Sequence, residues 1–105
     1  MSDMVTLSSY LEPGDTAVVA AVGEIDLSNA SQLADALAEV NGAPRVVVDL
    51  TRCTFFDSSC LSVLARYAKA LREQDRQFSV RVDPMGRRVI ELTNLGELLG
   101  LDDAA

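Results

Sequence analysis

The stretch Arg45-Val46-Val47-Val48-Asp49-Leu50 decides the architecture. Three consecutive β-branched residues with no polar alternation suit a strand covered on both faces, and in a short chain that means a central, parallel strand. Upstream, Ala30, Leu33, Ala34, Leu37 and Val40 fall on one stripe at helical spacing, with Ser28 expected as the N-cap. Asn41-Gly42-Ala43-Pro44 ends that helix. Further back, Val5 to Tyr10 and Thr16 to Val22 read as two strands around the turn Glu12-Pro13-Gly14-Asp15, which makes an antiparallel hairpin. The segment Gly23-Glu24-Ile25-Asp26-Leu27-Ser28-Asn29 is expected to break the second strand and lead into the helix.

Downstream, a short apolar run stops at Asp57, and Ser58 and Ser59 open a long amphipathic segment. Leu61, Leu64, Ala65, Ala68 and Leu71 repeat on one side of it, with Arg66, Lys69, Arg72 and Arg76 on the other. Gln77 to Val82 alternates as a fourth strand, and Asp83-Pro84 starts a helix with Met85, Val89 and Leu92 on one face. Asn94 ends it, and Leu95 to Leu101 suits a last short helical turn. The order strand, strand, helix, strand, helix, strand, helix predicts an α/β fold. Its sheet is mixed, four-stranded and mostly parallel, with the helices packed on it. At 105 residues the whole chain, 1–105, is expected to form one domain.

Composition narrows the function. A formal net charge of -7 disfavours nucleic acid, whose phosphates are met by clustered Lys and Arg. The acidity is uneven, because Arg45 is the only basic residue before Leu50. An acidic contact face is therefore a second reading beside a solvated surface. With no histidine, Ser-His-Asp and Cys-His catalysis and the commonest metal ligand are all removed. Two cysteines, Cys53 and Cys60, are too few for a disulfide framework or a zinc site, and a reducing cytoplasm is the simplest inference. No apolar run reaches the length of a membrane span, and the N-terminus has no basic-then-apolar leader pattern. Neither a cofactor nor a metal is expected.

The residues with chemistry lie in two loops. Glu24 and Asp26 follow one inner strand and Asp57 and Ser58 follow the next, so both loops should emerge on the same sheet edge. For Glu24 and Asp26, solvated turn chemistry is the favoured plain alternative. Asp57, Ser58 and Ser59 are helix-capping residues, and the same positive helix end would receive a phosphate. A serine nucleophile would need a base, and Lys69, the only lysine, sits three turns into the helix. Cys60, in the first helical turn, could have its thiol pKa lowered by the helix end and raised by Asp57.

Taken together, Gly23-Glu24-Ile25-Asp26, Val46-Val47-Val48-Asp49-Leu50 and Phe56-Asp57-Ser58-Ser59 leading into Leu61-Ser62-Val63-Leu64-Ala65-Arg66-Tyr67 resemble a STAS domain. Arg87 to Leu95 resembles the family's third helix, and the narrower likeness is to the anti-sigma factor antagonists. That resemblance implies a non-enzymatic switch. The unphosphorylated protein binds an anti-sigma factor that is also an ATP-dependent serine kinase, and so frees the sigma factor. Phosphorylation then releases it, and a PP2C-type phosphatase resets the cycle. By position, Ser58 takes the phosphate, with Ser59 the second choice. Glu24, Asp26, Asp57, Ser58, Ser59, Cys60 and Leu61 would form the partner-binding surface. An alternative from the same family is a STAS scaffold subunit of a transporter or stress-signalling assembly that is never phosphorylated. Two departures stand out: Cys60-Leu61-Ser62 replaces the usual Gly-Leu-Gly, placing extra bulk beside the site, and the chain closes at Ala105 where many members continue through another strand and helix.

Overall fold

The computed structural model describes residues 4–40 and 42–101. Four strands, β1 (Val5–Glu12), β2 (Thr16–Ile25), β3 (Arg45–Phe56) and β4 (Gln77–Arg81), form one sheet in the order β1-β2-β3-β4. β1 pairs antiparallel with β2, and β2, β3 and β4 are mutually parallel neighbours. The helices are α1 (Ala30–Glu39), α2 (Ser58–Glu73), α3 (Pro84–Leu92) and the single turn α4 (Gly96–Leu99). The mixed, mostly parallel sheet and its helices are those expected. Asn41, the first residue of the expected helix stop, lies outside the described residues.

All helices contribute to one apolar cluster on one sheet face. Val19, Ala21, Val46, Val48, Leu50 and Val80 meet Leu33 and Leu37 of α1, Leu64 and Leu71 of α2, Ile90 of α3 and Leu99 of α4. Burial of such side chains contributes roughly 1.5–3 kcal/mol each. Edge-to-face contact between Tyr67 and Phe78, with centroids 5.6 Å apart, extends the cluster toward β4.

Three strands run longer than the sequence pattern suggests, and β1 does so by two residues, ending at Glu12 and not at Tyr10. β2 does not break at Gly23; it continues to Ile25. β3 continues past Leu50 to Phe56, because two extra residues are absorbed as bulges. Ala20 and Val22 face Asp49 and Arg52, and Gly23 and Glu24 face Cys53 and Phe55. Asp49 Oδ1 accepts from the Thr51 amide and hydroxyl at 2.9 and 2.6 Å, which holds the first bulge. Thr54 Oγ1 donates to the Gly23 carbonyl at 3.2 Å beside the second.

α3 corrects a further expectation. Met85, Val89 and Leu92 are exposed, and the helix is anchored instead by buried Gly86 and Ile90. A Cβ on Gly86 would lie 3.1 Å from Val82 Cβ and 3.3 Å from Phe56, so the glycine lets the helix approach closely. Asp83 caps it as expected, its Oδ1 accepting from the Gly86 amide at 2.7 Å.

Candidate functional site

β2 and β3 stay paired to their last residues, Glu24 with Phe55 and Ile25 with Phe56. The next amide, that of Asp57, donates to the Ile25 carbonyl at 3.3 Å. The register therefore brings the Glu24–Asp26 and Asp57–Ser58 segments to one margin of the sheet.

Asp57 is the N-cap of α2. Its backbone is extended, and its Oδ1 accepts from the Ser59 amide at 2.9 Å and the Cys60 amide at 3.4 Å. Of the four amides a helix leaves unpaired at its start, those of Asp57, Ser59 and Cys60 are satisfied. The Ser58 amide is the one without an acceptor among the described residues. A phosphate would thus find two first-turn amides already held by a carboxylate, which narrows the expected anion site to the Ser58 amide itself.

Ser58 occupies the first helical position and is exposed, and Ser59 and Asp57 are half-buried. Cys60 and Leu61 point into the core and are buried. Their side chains therefore do not lie on the surface where a partner contact was expected, and Cys60 adds no bulk beside Ser58. Burial pushes the Cys60 thiol up to about 12, helped by Cys53 and Asp57, so the lowered value weighed for it does not arise. Cys53 is also raised, chiefly by burial, and its thiol donates to the Phe55 carbonyl at 3.1 Å.

The other loop is organised by a residue the sequence reading left unused. Asn29 is buried, its Nδ2 donates to the Glu24 carbonyl at 2.9 Å, and its Oδ1 accepts from the Asp26 amide at 2.9 Å. Asn29, not Ser28, holds the N-cap position of α1. Ser28 is drawn away by Asp26, whose Oδ1 accepts from the Ser28 amide at 2.9 Å and hydroxyl at 2.6 Å. Ser28 and Asn29 are both capping types, so composition alone does not choose between them.

Apolar side chains flank this margin. Leu27 is 83% exposed and Phe55 51% exposed. A cleft of about 190 Å³ separates the end of β3 from α3, lined by Cys53, Phe55, Phe56, Asp83, Met85 and Val89. The larger cleft, about 520 Å³, lies at the opposite margin among Thr16, Arg45, Gln77 and Arg72, and includes none of the candidate residues. Among the described residues, no group of three His, Cys, Asp or Glu is arranged to hold a metal, and no helix is long and apolar enough to cross a membrane.

Comparison with known proteins identifies the family. A family model described as "Mlab, STAS domain" matches residues 8–101. An anti-sigma factor antagonist from Mycobacterium paratuberculosis is 30% identical, with a TM-score of 0.87 over 99% of this chain and 90% of that one. Phosphorylated SpoIIAA, a cell fate determinant from Bacillus, shares 18% identity and a TM-score of 0.73 over 95% of this chain and 92% of its own. A putative anti-sigma factor antagonist from Thermotoga maritima shares 20% identity and a TM-score of 0.73 over 93% and 86%. The last two are likenesses of fold. On the family model and the 30% identical relative, the chain belongs to the STAS domain family, and its structural neighbours include anti-sigma factor antagonists.

Proposed function

We propose that this chain is an anti-sigma factor antagonist switched by phosphorylation of Ser58. Unphosphorylated, it binds an anti-sigma factor that is also a serine kinase, and the sigma factor is freed. The kinase transfers the γ-phosphoryl of ATP to Ser58 Oγ, the complex parts, and a PP2C-type phosphatase hydrolyses the phosphate off. The protein is a substrate and binding partner in this cycle, with no catalysis of its own, and works in the cytoplasm.

The observation that carries this reading is an exposed hydroxyl on the first residue of the 16-residue helix α2, directly beside its capping carboxylate. The partner surface combines Glu24, Asp26, Asp57, Ser58 and Ser59 with the apolar rim of Leu27, Phe55 and Met85. Cys60 and Leu61 support it from below. A phosphate on Ser58 adds about two negative charges next to Asp57. Attraction to the helix end is offset by that carboxylate, so the charge changes the surface and leaves the fold in place.

Incubation with candidate anti-sigma kinases and ATP should give a mass increase of one phosphate that disappears in Ser58→Ala and persists in Ser59→Ala. Phosphorylated protein should keep its melting temperature and lose kinase affinity. Incorporation elsewhere, or a phosphoform that unfolds, would reject the proposal.

A further inference from the structure

Among the described residues, no strand pairs with the outer edge of the sheet at β1. β1 is an edge strand of eight residues with no charge before Glu12. Its register with β2 is unbroken over all eight pairs. Natural edges are blunted by lysine, proline, bulges or brevity, and β1 has none of these. The Glu24 amide donates to the Met4 carbonyl at 3.1 Å. Hydrogen-bonded pairs alternate along an antiparallel ladder, so the even-numbered residues of β1 bond to β2. The N–H and C=O groups of Val5, Leu7, Ser9 and Leu11 then point away from the sheet, and no strand among the described residues takes them.

Helix α1 runs beside this edge. A groove of about 230 Å³ lies between them, lined by Leu7, Ser8, Ser9, Gln32, Asp35 and Glu39. Asp35 and Glu39 are one helical turn apart and exposed, and their carboxylates have no hydrogen bond or ion pair among the described residues.

We propose that the β1 edge is a strand-addition site for an extended segment of a partner protein with basic residues at alternate positions. Strand addition takes its affinity from the main chain and its selectivity from every second side chain. On the helix side, those side chains would lie over the groove and meet Asp35 and Glu39. A second copy fits poorly, because twofold pairing of β1 would set the acidic walls of the two α1 helices against each other. The site is independent of the Ser58 switch: its Val5 end starts beside Gly23, and the strand then runs away from that margin.

The test uses the full chain and a fluorescein-labelled peptide alternating lysine and valine, with a glutamate–valine peptide as control. Saturable anisotropy and slowed amide exchange at Val5, Leu7, Ser9 and Leu11 are expected with the lysine peptide. Ser9→Pro removes an outward donor and no ladder bond, a substitution edge strands tolerate. It and Asp35→Lys/Glu39→Lys should each weaken binding at least about tenfold, a change of about 1.4 kcal/mol. If Ser9→Pro fails to fold, the lysine double variant decides alone, since it leaves β1 untouched. No saturable binding, equal binding of the glutamate peptide, or affinity unchanged in the variants overturns the proposal. So does a dimer by sedimentation that Ser9→Pro returns to monomer, since the occupant would then be a second copy.

Discussion

Asp57 joins the two loops through its amide and closes the helix through its carboxylate, so two structural duties fall on one residue. Asp57→Ala should lower stability by about 1 kcal/mol, the usual loss for a cap. Ser58→Ala, at an exposed position with no side-chain bond among the described residues, should stay within about 0.5 kcal/mol. Urea denaturation of both variants checks this, and equal losses would mean that the cap is not what holds α2. The cap was legible because Asp followed by two serines interrupts an apolar run. The role of Asn29 was not, because its partners, Glu24 and Asp26, are chosen by the path of β2 and not by helical pattern. Cys60 gives a second prediction. Its folded pKa is raised from an ordinary 9.0 to about 12. Between those values the folded chain holds a proton that the unfolded chain has lost, so this contribution to stability is complete below about pH 9 and fades toward pH 12. At neutral pH the thiol is buried and protonated, and a thiol-reactive dye should label Cys60 only after denaturant is added. Rapid labelling of native protein would contradict its placement in the core.

At the scale of elements, the strands were legible in their hearts and not at their ends. Arg45 to Leu50 announces β3 by its valines, but each bulge shifts the alternation by one residue, and Thr51 to Phe56 no longer reads as strand. That hidden length carries the Phe56-Asp57-Ser58 junction to the same level as Glu24 and Asp26. α3 misled differently: Met85, Val89 and Leu92 outnumber Ile90 as an apolar face, but the packing surface is set by how closely Gly86 lets the backbone approach Phe56 and Val82. Gly23 is the most sensitive point of the β2 end. Its φ is +119°, and an added Cβ would lie 2.3 Å from the Met4 carbonyl oxygen. Gly23→Ala therefore combines an unfavourable backbone region with a collision against main chain, and should cost about 2 kcal/mol or more. Amide exchange of Glu24, whose N–H is bonded to Met4, should quicken with it. Stability and exchange unchanged from the parent would show that β1 shifts freely and that the register at Glu24 is not fixed there.

At the scale of the whole molecule, the helices cover one face of the sheet and leave the other to side chains. Val18 and Val47 lie on that second face, outside the main apolar cluster, and are nevertheless buried. Glu12 and Arg81 form an ion pair on this face. They stand on the outermost strands, separated by three strand spacings, about 14 Å. Their side chains meet in a two-pronged ion pair with N–O distances of 3.0 and 2.9 Å. Alternation puts both on the Val18 face, so the pair and its aliphatic stems cross over β2 and β3. Nothing in the sequence marked the two residues as partners, since 69 positions separate them and each sits at a strand end. Side-chain exposures of 29% and 32% leave the charges partly screened, so a cycle of Glu12→Gln and Arg81→Gln should give a coupling of about 1 kcal/mol or less that weakens in high salt. Arg81→Met keeps an aliphatic stem over the valines and should be less destabilising than Arg81→Ala. Equal losses in the methionine and alanine variants would assign the stabilisation to charge alone, and the second face would then owe its burial to Tyr10 and the neighbouring strand residues.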